Sequence, residues 1–224
     1  MSEGSRDESY RDGLLFRAHP WHGVPIGDRA PEVVTVYVEL TPADTIKYEL
    51  DKRTGLLTVD RPQRFSNVCP TLYGFIPQTY CAEASGAYCT LRTGRAGIVG
   101  DGDPLDICVL TEKPISMNNM LLRARPIGGL RMIDGNEADD KIVAVMDGDV
   151  SYGHLERIEQ CPLVQVERLR HYFLTYKQSP DALSAACEIV EVYSCEEARE
   201  VILKAREDYL AHYAKLANAL ERLA

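Results

Sequence analysis

The most regular pattern in the chain is an alternation of apolar and polar residues that begins after Glu32. Over 34–39 it places valines on one face of a strand and Thr35, Tyr37 and Glu39 on the other. A second alternation over 46–51 is followed by a turn at 52–55 and a return run over 56–61, which predicts a β-hairpin. The further β-rich runs are 105–110, 121–133 and 142–146.

The last third of the chain changes to helical spacing. Residues 162–177 form one amphipathic helix candidate, and residues 195–223 form a second with an apolar stripe at helical steps. Ser194 with Glu197 three positions later makes a capping box at its start. Strands followed by helices favour an α+β fold that is mainly β. We expect a closed or highly curved antiparallel β-barrel with two main helices packed outside.

The pattern contains no repeat and no low-complexity linker, so residues 1–224 are predicted to form a single domain. Residues 1–31 resemble an arm, with the motif His19-Pro-Trp-His22 near its end. That motif is either an aromatic anchor that packs the arm onto the core, which we favour, or a ligand site. The weakly patterned stretch 80–100 is predicted to be an insertion on the surface.

Composition narrows the classes of partner. The chain is 45% hydrophobic and 26% charged, as in ordinary globular proteins, and its net charge is −9. That acidity argues against nucleic acid as a partner, and no apolar run approaches the length of a membrane span. The N-terminus is polar and acidic, unlike a targeting peptide, and the seven Cys are scattered. We therefore expect reduced thiols and a cytoplasmic location.

The first candidate site is the acidic run over 100–106, which reads Gly-Asp-Gly-Asp-Pro-Leu-Asp. Three carboxylates, Asp101, Asp103 and Asp106, crowd into six positions, and a hard divalent cation is the usual group that cancels such repulsion. A calcium EF-hand loop is excluded because its fifth position would be Leu105 and its sixth would be Asp106 instead of Gly.

A second acidic run, 134–141, lies between two predicted strands and is either a solvated hairpin tip or part of the same site. Basic residues accompany both runs, namely Lys47, Arg61, Lys141 and Lys177. Carboxylates hold Mg²⁺ and basic side chains hold phosphate, so the combination indicates phosphoryl transfer. Because no glycine-rich nucleotide loop is present, we expect a small phosphate compound as the substrate.

These residues resemble a known family, the soluble family I inorganic pyrophosphatases. The run Asp101-Gly-Asp-Pro-Leu-Asp106 is similar to that family's signature, D-x-D-P-[apolar]-D. The resemblance extends over about 34–177, and the matching positions outside the signature occur in the expected order. They are Glu39, Lys47, Glu49, Arg61, Tyr73, Asp134, Asp139, Lys141, Tyr176 and Lys177.

The resemblance implies hydrolysis of pyrophosphate to two phosphates with several Mg²⁺ ions per site, on an OB-like barrel. It implies that a metal-activated water attacks, with Asp103 as the base and Tyr73 lining the site. The implied metal-binding carboxylates are Asp101, Asp106, Asp139, Asp134, Glu39 and Glu49. The implied phosphate-binding residues are Lys47, Arg61, Lys141, Tyr176 and Lys177.

The charges agree with that implication. Seven candidate acids face four candidate bases, a net of −3, so two Mg²⁺ ions would bring the sum to about +1 and admit a polyanion. Two alternatives stay open: a non-catalytic metal- or phosphate-binding protein of the same fold, and a phosphohydrolase for a larger phosphoanhydride. The resemblance also implies a homo-oligomer, for which the arm and the long C-terminal helix favour a dimer over a hexamer.

Overall fold

The computed structural model describes residues 19–178 and 187–216. Its elements in chain order are β1 (Val34–Leu40), β2 (Ile46–Leu50), β3 (Leu57–Pro62), β4 (Leu72–Phe75), α1 (Glu83–Thr93), β5 (Val99–Gly100), β6 (Asp106–Leu110), β7 (Met120–Asp134), β8 (Glu137–Ala138), β9 (Lys141–Met146), a 3₁₀ turn (Ile158–Gln160), α2 (Leu163–Thr175), β10 (Cys187–Ser194) and α3 (Cys195–His212).

Five strands pair into a closed ring. β1 pairs with β4, β4 with β6, β6 with β9, β9 with β7, and β7 again with β1. The predicted mainly-β, closed α+β fold is therefore confirmed. Two pairs depart from the expected antiparallel arrangement. Within the ring, β9 lies between β6 and β7 and is antiparallel to β7 but parallel to β6; outside the ring, β5 pairs with β8 in parallel.

The two faces of these strands pack against different helices. Along β6, Ile107 and Val109 join a core cluster with residues of α3, whereas Cys108 and Leu110 join a second cluster with residues of α2. This is the two-residue alternation of a strand that is buried on both faces. The curved sheet therefore lies between two helices, as the sequence predicts. All seven Cys are buried and free.

The second face of β1 is covered as well, by the arm and the β2–β3 hairpin. Tyr37 and Glu39 lie on that face and are buried, although alternation alone left them on a polar face. The arm's Trp21 is 2% exposed and donates its indole N–H to the carbonyl oxygen of Thr79 at 2.7 Å. The favoured interpretation of the arm motif as an aromatic anchor is confirmed.

The stretch 80–100, predicted to be a weakly patterned insertion on the surface, has regular structure. It forms α1 and β5 and packs against α3, while most of its side chains stay at least partly exposed. The buried carboxylate of Asp208, on α3, accepts hydrogen bonds from the backbone N–H groups of Ala82, Ala84 and Ser85. The cap at the start of α1 thus comes from a residue more than a hundred positions away, which no local pattern reveals.

Both predicted helices are present, but the second is shorter than predicted. The helix predicted over 162–177 is α2, and the one predicted over 195–223 is α3, which starts after the Ser194 cap and ends at His212. A bend at Tyr213 separates it from a further helical stretch over 214–216. The predicted continuation over 217–223 and the first 18 residues of the arm lie outside the described residues. Within the described part of the chain, we find no helix with the length and apolar character that spanning a membrane requires.

Candidate active site

The first acidic run and the second meet where β6 and β9 begin. Asp106 is the first residue of β6, Lys141 is the first residue of β9, and the two are register partners in the parallel pair. The ammonium of Lys141, only 1% exposed, contacts the carboxylates of both Asp106 and Asp139. Tyr73, on β4, donates its hydroxyl to Asp106 at 2.6 Å. The strand register therefore assembles this part of the site.

Two carboxyl groups from different loops touch each other. The side chain of Asp101 hydrogen-bonds that of Asp139, and burial with the neighbouring Asp139 charge raises the pKa of Asp101 to about 8. For Asp139, burial acts in the opposite direction to Lys141, and the lysine prevails, so its pKa lies below the usual range. Burial also raises the pKa of Asp106. Such crowding of acids requires a compensating positive charge.

Glu39 adds a further buried carboxylate at the end of β1. Burial raises its pKa to about 8, although the backbone N–H of Leu50 donates to its Oε1 at 2.7 Å and opposes the shift. The hydrogen bond joins β1 to the β2–β3 hairpin. It thereby fixes the hairpin, and with it the cationic side of the site, relative to the barrel.

The cationic side comes from the hairpin and the end of α2. Lys47 and Arg61 are register partners on β2 and β3, and both contact Asp60. Lys47 also contacts Glu49, and Lys177 contacts Asp134. Two of the carboxylates expected to bind metal are therefore each paired with a lysine expected to bind phosphate.

All thirteen predicted site residues line one cavity of about 340 Å³. They are Glu39, Lys47, Glu49, Arg61, Tyr73, Asp101, Asp103, Asp106, Asp134, Asp139, Lys141, Tyr176 and Lys177. The structure thus brings together residues from both acidic runs, all five strands of the ring, the hairpin and the segment after α2.

Sequence reasoning missed three charged residues of the lining: Lys52, Asp60 and Glu137. Each lies within three positions of a predicted site residue, and that proximity is the one signal that could have found them. With them, nine acids and five bases surround the cavity, a net charge of −4.

The tight turn between β7 and β8 contains Gly135, which adopts a φ of +64°, a conformation that favours glycine at that position.

The chemistry of the lining fits hard divalent cations. Its candidate ligands are carboxylate oxygens, which such ions prefer, and the Asp101–Asp139 contact is a pair of acids that a cation would stabilise. In the present geometry, lysine ammoniums compensate the acids. Among residues 19–178 and 187–216, no three His, Cys, Asp or Glu side chains are arranged as a ready-made metal centre.

The closed ring and the charged lining of the cavity define the class of protein: a barrel whose cavity chemistry fits hard cations. The sequence profile of the inorganic pyrophosphatase family matches residues 36–210. An inorganic pyrophosphatase of Chlamydia trachomatis is 54% identical over 199 residues, covering 87% of this chain and 95% of that protein. Soluble inorganic pyrophosphatase 3 of Arabidopsis thaliana is 38% identical, covering 87% and 82%.

Solved structures agree with the sequence relatives. The inorganic pyrophosphatase of Thermus thermophilus superimposes with a TM-score of 0.71 at 28% identity, covering 85% of this chain and 98% of that one. The chain belongs to the family I inorganic pyrophosphatases. The resemblance noted from the sequence is confirmed, and the protein is an enzyme of that activity.

Proposed function

We propose that this chain hydrolyses inorganic pyrophosphate to two phosphates with several Mg²⁺ ions bound in the cavity, and that Asp103 is the base. The observation that carries the proposal is the convergence of all thirteen predicted residues on one cavity. Its volume of about 340 Å³ is at the small end for ligand pockets and suits a compact polyanion with its ions.

The carboxylates are assigned by the family resemblance. Asp101, Asp106 and Asp139 are assigned to the principal ion, with Asp106 shared with a second. Asp134, Glu39 and Glu49 are assigned to further ions or to the water around them. Bound Mg²⁺ would neutralise the phosphate oxygens and make a water molecule more acidic.

Asp103 differs from the other acids of its run. Its side chain is about half exposed, whereas Asp106 is more enclosed, so Asp103 faces the open part of the cavity where substrate and water enter. Its backbone N–H donates to Asp101 at 3.0 Å, which fixes the loop that carries both residues. An accessible carboxylate on a fixed loop is suited to accept a proton from the attacking water.

The cations hold the substrate in this proposal. Lys47, Arg61 and Lys177 lie around the opening and would bind the terminal phosphate oxygens when these displace their carboxylate partners. Lys141 is also assigned to phosphate binding, and its contacts with Asp106 and Asp139 would in addition stabilise the acids that hold the ions. Tyr176 packs beneath Lys177 and Arg61, with each cation within 6 Å of its ring centre, and Tyr73 fixes Asp106.

The test is phosphate release from pyrophosphate with Mg²⁺, with EDTA, and after Mg²⁺ is restored. We expect release that stops with EDTA and returns with Mg²⁺. Release that survives thorough chelation would overturn the metal assignment. In the same assay, nucleoside triphosphates test for a larger phosphoanhydride, and no release from any substrate would indicate the non-catalytic alternative.

The variant Asp103→Asn tests the role of the base independently of metal binding. We expect turnover to fall by about 10²–10⁴-fold, the usual contribution of a general base, while the affinity for Mg²⁺ measured by calorimetry stays close to that of the wild type. Asp101→Asn is the matched comparison and should weaken Mg²⁺ binding. Near wild-type turnover in Asp103→Asn would show that another group is the base.

Location and assembly are part of the proposal. The free, buried thiols support a cytoplasmic enzyme. A homodimer is proposed in preference to a hexamer, on the resemblance together with the arm and α3. Light scattering coupled to size-exclusion chromatography measures the mass, and a particle of six chains would contradict the dimer.

A further inference from the structure

Lys52 lies in the turn of the β2–β3 hairpin and contacts a carboxylate that is central to the proposed chemistry. Its ammonium forms an ion pair with Oδ1 of Asp103, an atom shielded from solvent, and lies 3.3 Å from the carbonyl oxygen of Gly102. Lys52 also lines the catalytic cavity. The turn therefore places a cation at the mouth of the site, directly above Asp103.

The turn that carries Lys52 is held by its own hydrogen bonds. Oδ1 of Asp51 accepts from the backbone N–H of Thr54 at 2.7 Å and from its hydroxyl at 2.6 Å. The N–H of Gly55 donates to the carbonyl oxygen of Asp51 at 2.8 Å, and Gly55 has a φ of +71°, which favours glycine. The backbone of Lys52 is fixed between these residues, while its long side chain is 53% exposed.

The arm holds the same turn from outside. The ring Nε2 of His19 hydrogen-bonds the carbonyl oxygen of Lys52 at 3.1 Å. The two segments approach so closely that a Cβ at Gly55 would lie 2.8 Å from the His19 ring. Trp21, two positions on, fixes the arm by burying its ring and donating to Thr79. A continuous set of contacts thus joins the arm to the mouth of the site.

We propose that Lys52 is a substrate-binding residue that exchanges Asp103 for a phosphate group of pyrophosphate, and that His19 is a positioning residue acting through Lys52. The ion pair suits such an exchange because both partners are about half exposed, and ion pairs at that exposure are weak. A phosphate group carries more charge than a carboxylate and attracts the ammonium more strongly. This inference rests on the proposed function.

The experiment measures kcat and KM for Mg²⁺-pyrophosphate and, separately, the Kd of methylenediphosphonate with Mg²⁺ by calorimetry. In Lys52→Ala we expect KM and Kd to rise by about tenfold, equivalent to about 1.4 kcal/mol, with kcat changed by less than about twofold. Lys52→Arg should retain most of the affinity. Arg53→Ala removes an exposed cation from the same turn that does not line the cavity, and it should change neither constant.

His19 is tested by a double-mutant cycle. His19→Ala should raise KM by a smaller factor than Lys52→Ala, and His19→Gln, which keeps a side-chain N–H, should restore part of the loss. In the Lys52→Ala background, His19→Ala should have no further effect on KM. An equal effect in both backgrounds would overturn the positioning role.

Unchanged KM and Kd in Lys52→Ala would overturn the substrate-binding role. An inactive wild-type chain would overturn the proposed function instead. In that event the calorimetric comparison still decides whether Lys52 binds the diphosphonate.

Discussion

Lys141→Met is the substitution whose effect the structure defines most fully. It removes an ammonium that is 1% exposed and contacts both Asp106 and Asp139, and it leaves a side chain of similar length beside the Phe173 ring. Although burial lowers the pKa of Lys141, the two carboxylates outweigh it and place that pKa well above the usual value. The lysine is therefore charged at all ordinary pH values, and its loss leaves two enclosed acids without their cation.

The expected cost follows from that geometry. Removing one partner of a buried ion pair costs about 3–5 kcal/mol, because the remaining charge is left buried and uncompensated. For a chain of this size, each kcal/mol corresponds to ~2–4 °C in the midpoint of thermal unfolding, so we expect a loss of about 6–20 °C without metal.

Magnesium should reverse part of the loss, because ions bound by Asp106 and Asp139 would replace the missing positive charge. Urea unfolding is measured with EDTA and with saturating Mg²⁺ for the wild type and for Lys141→Met. The stabilisation by Mg²⁺ should be larger in the variant by at least about 1 kcal/mol. Lys204→Met is the control, since Lys204 pairs with Glu207 on the surface and its loss should change stability far less than the loss of Lys141.

Two results would refute this reasoning. A loss below about 1 kcal/mol in Lys141→Met would show that the two carboxylates do not depend on the lysine. An equal response to Mg²⁺ in both proteins would show that the ions do not bind where the lysine charge was removed.

Three further predictions concern pH and packing. The folded-state pKa of Glu39, about 8, exceeds its ordinary value of 4.5, so its contribution to stability is greatest at low pH and is lost as pH rises towards about 8. In EDTA, the free energy of unfolding of the wild type should fall by up to about 1.36 kcal/mol per pH unit between about pH 5 and about pH 8, and Glu39→Gln should remove this decline. Urea unfolding measures it, and an unchanged slope in the variant would contradict the prediction. Gly74→Ala should prevent folding or cost more than about 3 kcal/mol, because its Cβ would lie 1.9 Å from the carbonyl oxygen of Tyr37 across the β1–β4 pair. Circular dichroism and solubility measure the effect, and a native, stable variant would refute the prediction. Asp208→Ala should cost about 2–4 kcal/mol of stability, because it leaves the backbone N–H groups at the start of α1 without their acceptor. The neighbouring Glu207→Ala should cost less than about 1 kcal/mol, and equal losses in the two variants would contradict the capping role of Asp208.

Much of the fold follows from local patterns. The two-residue alternation identifies β1 and both strands of the hairpin, and the capping box at Ser194 gives the start of α3. The helix α1 was missed because its buried residues are Gly86 and Cys89, too small and too few to mark an apolar stripe. Its cap comes from α3, so neither its start nor its packing is encoded in its own segment.

The sequence by itself determined which residues could do the chemistry, because crowded carboxylates and nearby bases are a local property of residue types and their spacing. The tertiary structure alone decided which charges meet. It placed Lys141 between two acids through the parallel register of β6 and β9, and it brought Lys52 over Asp103 through a turn that the arm holds. Such contacts depend on strand pairing and on the docking of distant segments. The free energy of both comes from residues far apart in the sequence, so no local pattern encodes it.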